Sequence, residues 1–94
     1  MYYIYIMASK YNGTLYIGVT SDLVKRTYQH KQGFVSGFTK KYSIKNLVYY
    51  ESSESIYEAI KREKTLKIWK RQWKIELINS FNPKWLDLYE DIIS

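Results

Sequence analysis

The chain has no cysteine, one proline, four glycines and one histidine among 94 residues, and no apolar run of membrane-spanning length. Without cysteine there is no disulfide framework and no thiolate zinc site, and nothing asks for an oxidising compartment. A single histidine argues against a histidine-rich metal centre. A bilayer crossing takes roughly 18–20 consecutive apolar residues, and residues 1–7 lack the basic leader and small-residue cleavage site of a secretion signal. The expectation is a cytoplasmic protein with no membrane partner, forming one domain over residues 1–94.

What the chain does have is 46% hydrophobic and 18% aromatic content, eleven tyrosines and a net charge of +6. That is too apolar for a disordered basic tail, so the charge sits on a folded body. Residues 1–74 carry fourteen Lys/Arg against five acids, and residues 75–94 carry one against four. A basic body attracts polyanions, because each phosphate neutralised releases counterions. Nucleic acid is the leading partner class and an anionic membrane surface the second. The acidic tail is expected to close the domain away from the basic body.

Residues 2–6 and 14–20 are aromatic and β-branched, and Asn12-Gly13 ahead of the second run signals a hairpin turn within residues 9–13. Ser21-Asp22 offers N-cap chemistry for a helix over 23–31, with Gly33 as its stop. Residues 33–45 read as a basic surface loop and 46–51 as a third strand. Ser55 and Glu58 match a capping box opening a long helix to about residue 70. Residues 75–78 suggest another helical segment, and Asn82-Pro83 a further helix start.

Three groups break the local rules. Glu63 falls on the stripe of Ile56, Ala59, Ile60 and Leu66 that should face the core. A carboxylate there must be ion-paired, as with Lys67 one turn on, hydrogen-bonded, or holding a cation. Arg26 and His30, four apart on one helix, present either an anion-gripping face or an ordinary solvated one. Tyr3, Tyr5 and Tyr16 lie on neighbouring strands, where aromatic residues usually pack. A phenol takes part in proton chemistry only if nearby cations pull its pKa below about 10.

Together, Tyr3-Ile4-Tyr5, Tyr16-Ile17-Gly18, Arg26, His30 and a helical Glu63 resemble the GIY-YIG nuclease superfamily in identity, order and spacing. Gly18 to Leu23, Gly37 to Tyr42 and Asn82 to Trp85 resemble its small single-domain bacterial members. The resemblance implies an α+β fold, a small three-stranded antiparallel sheet flanked by helices in the order β-β-α-β-α-α. It also implies a metal-dependent endonuclease acting on DNA, possessing one Mg²⁺ or Mn²⁺ held by Glu63. Position by position, Tyr5 and Tyr16 correspond to the motif tyrosines, Arg26 to the phosphate-contacting arginine and His30 to the residue one turn later. Asn82 is the candidate for the last site position, with Asn79 as the alternative. The first glycine of the family triplet is Tyr3 here, which bears on strand packing more than on activity.

On this reading Tyr16 orients or deprotonates the attacking water, its phenol acidified by Arg26 and the cation, and Tyr5 shares that role. His30 relays the proton or contacts phosphate. Lys40, Lys41, Lys61, Lys64 and Lys67 track the nucleic-acid backbone, although Glu58-Arg62 and Glu63-Lys67 spacings also suit helix ion pairs. Phosphate contacts do not separate RNA from DNA. The competing function is a non-catalytic or partner-dependent nucleic-acid-binding module on the same scaffold. A homodimer would suit cleavage of both strands, and a partner protein could supply specificity.

Overall fold

In the computed structural model, which describes residues 1–34 and 37–94, strand β1 (Tyr2–Ala8) runs between β2 (Leu15–Thr20) and β3 (Asn46–Ser53) in an antiparallel sheet of order β2-β1-β3. A central strand covered on both faces needs apolar residues at successive positions rather than alternation. β1 supplies them: Ile4, Ile6 and Ala8 enter one core, Tyr5 and Met7 the other. The β1–β2 turn is closed by Ser9 N donating to Thr14 O at 3.0 Å, with Asn12 left-handed at φ 56°.

Helices cover both faces. On the first, Ala59 and Leu66 of α3 (Ile56–Ile68), Ile78 of α4 (Arg71–Phe81) and Trp85 pack with Ile4, Ile6 and Ile17. On the second, Leu23 of α1 (Leu23–Lys31) joins Tyr5, Met7, Ile44 and Leu47. Helix α1 starts as expected, Asp22 Oδ1 accepting from Lys25 N at 3.0 Å. It ends in a Schellman turn: Gly33 N donates to His30 O, Phe34 N donates to Gln29 O, and Gly33 takes φ 74°. The α+β class and the β-β-α-β-α-α order therefore hold, with two short helices added, α2 (Phe38–Lys41) and α5 (Tyr89–Ile93).

Several local expectations need correction. The stretch read as a basic loop contains α2, and its positions 35 and 36 lie outside the described residues. Ser55 does cap α3, accepting from Glu58 N, but Ser55 N donates to Ser53 Oγ, so the serine two residues earlier replaces the glutamate half of the box. Helix α3 stops at Ile68, where Trp69 turns extended, and Ile56 and Ile60 stand at its solvent margin. Arg62 pairs with Glu51 of β3 at 2.8 Å rather than with Glu58.

Asn82 begins no helix. It is the C-cap of α4, and the last helix starts only at Tyr89. The acidic tail also lies elsewhere than expected: Leu88 and Ile92 pack on the sheet face that carries Tyr5. Asp87 fastens it there, accepting from Lys31 Nζ, Leu47 N and Tyr89 N.

Candidate active site

The antiparallel register sets Tyr5 opposite Gly18 and Met7 opposite Tyr16, so Tyr5 and Tyr16 are diagonal neighbours on one face, ring centroids 6.3 Å apart. Leu23, Thr27 and His30 form the buried stripe of α1, which brings the imidazole down onto both phenols. His30 lies 5.8 Å from the Tyr5 ring and 5.2 Å from the Tyr16 ring, and Tyr5 Oη and His30 Nε2 are hydrogen-bonded at 3.1 Å. Burial is uneven. Tyr5 is 1% exposed and His30 2%, whereas Tyr16 and Arg26 remain half-exposed at the edge of the cluster.

This arrangement corrects two expectations. His30 and Arg26 do not share an exposed anion-gripping face, since the imidazole points into the sheet. Burial pushes the Tyr5 phenol above its ordinary value, with the charges of Tyr16 and Glu63 adding to the rise and that of Arg26 opposing it. Tyr5 therefore stays protonated and cannot act as the base. Tyr16 is the accessible phenol of the pair.

Burial, reinforced by the Arg26 charge, lowers the His30 pKa to about 4. The imidazole is neutral at physiological pH, and Nδ1 has no hydrogen-bond partner among the described residues. Protonating that nitrogen would create a buried charged donor with no acceptor. The less costly tautomer leaves Nδ1 bare and lets Nε2–H donate to Tyr5 Oη, an assignment made on energetic grounds.

An unfolded histidine titrates near 6.5. Between that value and about 4 the unfolded chain therefore binds more protons than the folded one, and stability rises with pH. His30 is expected to cost about 2 kcal/mol of stability on going from pH 7 to pH 5. Urea titrations at the two pH values check this, and His30→Gln is expected to lose that component of the slope.

Glu63 sits at the edge of the buried face of α3, its side chain 13% exposed, and pairs with Lys67 Nζ at 2.8 Å. The ion-pair reading of its sequence position is thus realised, and its charge also reaches the Tyr5 phenol, as does that of Arg26. Among the described residues no three His, Cys, Asp or Glu side chains gather as a metal cage. One sheltered carboxylate does fit a hard divalent cation that keeps most of its waters and shares a phosphate oxygen with substrate. Lys67, 51% exposed, is a displaceable partner.

Asn82 is not brought to this cluster by any of its contacts. Its Nδ2 donates to Val48 O and Leu86 O, and its Oδ1 accepts from Leu86 N, which engages both amide hydrogens and the oxygen. Asn79 accepts from the Trp85 indole at 2.7 Å, with Trp85 itself left-handed at φ 54°. Both asparagines hold the chain reversal after α4. Lys40 and Lys41 stand exposed on α2, and Lys61, Lys64 and Lys67 on α3.

Gly18 has a steric role that its place in the motif does not show. A Cβ there would lie 2.4 Å from Tyr5 Oη, and a glycine inside a strand is itself a signal of such close approach.

Comparison with known proteins places the chain in a family. The family described as the GIY-YIG catalytic domain matches residues 1–76. A UPF0213 protein of Staphylococcus saprophyticus is 40% identical over 78 residues, covering 83% of this chain and 94% of the relative. A UPF0213 protein of Staphylococcus aureus is 36% identical over 77 residues, covering 82% and 93%. The solution NMR structure of a UPF0213 protein from Bacillus halodurans superposes with a TM-score of 0.54 at 28% identity, covering 87% of each chain. The matched stretch contains Tyr5, Tyr16, Arg26, His30 and Glu63 and ends before Asn79 and Asn82. On the strength of that match and of these relatives, the chain belongs to the GIY-YIG family.

Proposed function

We propose that the protein is a metal-dependent endonuclease that hydrolyses phosphodiester bonds in DNA. The observation that carries this reading is the convergence of Tyr16, Arg26 and the Glu63 charge on a buried Tyr5–His30 pair. A phosphoryl site needs a cation for the non-bridging oxygens, a group that positions water and an anchor for a divalent ion.

Arg26 binds the non-bridging oxygens of the scissile phosphate and neutralises the charge that builds on them. Tyr16, the accessible phenol, accepts a hydrogen bond from the attacking water at Oη and so orients it, the proton that the water loses passing to solvent. Tyr5 and His30 are positioning residues: the neutral imidazole and protonated phenol hold each other, and both rings back Tyr16. Glu63 would hold Mg²⁺ or Mn²⁺, which supplies Lewis-acid stabilisation of the leaving oxygen when bound.

A supercoiled plasmid incubated with the protein is expected to become open circular with Mg²⁺ or Mn²⁺ and to stay supercoiled in EDTA. DNA binding without metal-dependent nicking would overturn the enzyme reading and leave the non-catalytic binding module.

A further inference from the structure

We propose that the pocket between the β1–β2 turn and the start of α4 is a second phosphate site, holding the DNA backbone beside the cleavage centre. This rests on the DNA reading above. The pocket is lined by Asn12, Gly13, Thr14, Leu15, Arg71 and Lys74, a set with two cations and no carboxylate. The ion pairs among the described residues are Lys31–Asp87, Arg62–Glu51 and Lys67–Glu63, so neither pocket cation has an acidic partner.

The two cations are held in place rather than waving in solvent. One guanidinium nitrogen of Arg71, Nη2, donates to both Asn12 O at 2.7 Å and Gly13 O at 2.8 Å, which fixes the fork and leaves its other donors for an anion. Lys74 Nζ donates to Lys67 O at 3.1 Å and retains two further N–H donors. Burial lowers the Lys74 pKa, and the neighbouring Arg71 charge adds a smaller push in the same direction. An anion between them would relieve that repulsion.

Both walls of the pocket lead to the proposed centre. Gly13 precedes Tyr16 by three residues, at most about 10 Å of chain. On the other wall, Lys74 contacts the Lys67 carbonyl, and Lys67 pairs with Glu63. A polymer with regularly spaced phosphates can occupy pocket and centre together, which an isolated small anion cannot.

The test is fluorescence anisotropy of a labelled DNA duplex across a salt series in EDTA, so that binding is read without turnover. Arg71→Gln with Lys74→Gln is expected to weaken binding about tenfold and to flatten the log K against log salt slope by about two. Lys74→Gln alone should flatten it by about one. Arg71→Lys should retain the wild-type slope even if its melting temperature falls, which separates charge from folding. Lys45→Gln, an exposed charge elsewhere, should leave the slope unchanged.

Slopes unaltered by both pocket substitutions would overturn the site while leaving the DNA reading intact. A wild-type protein that does not bind DNA would overturn both. Binding with the expected slopes but no nicking would sustain the site and remove the enzyme reading.

Discussion

Glu63→Gln is expected to slow plasmid nicking by about 10²–10³-fold while leaving DNA affinity near that of wild type. The substitution keeps the shape of the side chain and removes its charge. The ion pair it breaks is with a half-exposed lysine on the same helix, so the stability cost is small. Tyr16→Phe is expected to cost a comparable factor, because it deletes the accessible oxygen placed to meet the water.

Tyr5→Phe should behave differently. It strips the buried His30 Nε2 of its partner, so it is expected to cost about 1–3 kcal/mol of stability with a much smaller fall in rate. Single-turnover nicking set beside urea midpoints for the three variants separates these effects. Equal rate losses in the two tyrosine variants, or none in Tyr16→Phe, would remove Tyr16 from the water's side of the reaction.

The contrast between the two tyrosines marks what the sequence could and could not reveal. Period-two patterning placed Tyr5 and Tyr16 on neighbouring strands, and the helix cap placed Arg26 and His30 on α1. Spacing alone could not say that α1 turns His30 inward, because that depends on Leu23 and Thr27 being its buried companions. Once inward, both groups are buried, and burial moves the imidazole and the phenol from proton chemistry to support. Glu63 was legible as a misfit, and both its ion pair and its coupling to Tyr5 follow from the one helical position.

Asn82 is ambiguous in the sequence for a different reason. An Asn-Pro pair signals a chain reversal equally well at the end of one helix or the start of the next. Only the contacts with Val48 and Leu86 decide between them. Arg71 and Lys74 carry no local anomaly at all. They become a pair of interest only when the distant β1–β2 turn folds against α4.

Gly18→Ala is expected to be the most damaging conservative change in the sheet. The added Cβ would fall 2.4 Å from Tyr5 Oη and 2.5 Å from Cζ, well inside contact distance. The ring has nowhere to retreat, being 1% exposed, bonded to His30 and flanked by Tyr16. Either the phenol or the β1–β2 pairing must shift. Overpacking of this kind costs about 1–3 kcal/mol, and a displacement near 1 Å in a reacting site costs about 10²-fold in rate.

A double-mutant cycle identifies the cause. In a Tyr5→Leu background the clash is gone, so Gly18→Ala should become nearly neutral in urea denaturation, giving a coupling of about 2 kcal/mol. Nicking should not recover, because the leucine takes away the ring that backs Tyr16. An equal stability cost in both backgrounds would mean that something other than the phenol demands glycine. On the expected outcome, the glycine that follows Tyr16-Ile17 is there to admit the Tyr5 ring from the adjacent strand. The two motifs are then one packing unit, in which Tyr5 and Gly18 set the position from which Tyr16 acts.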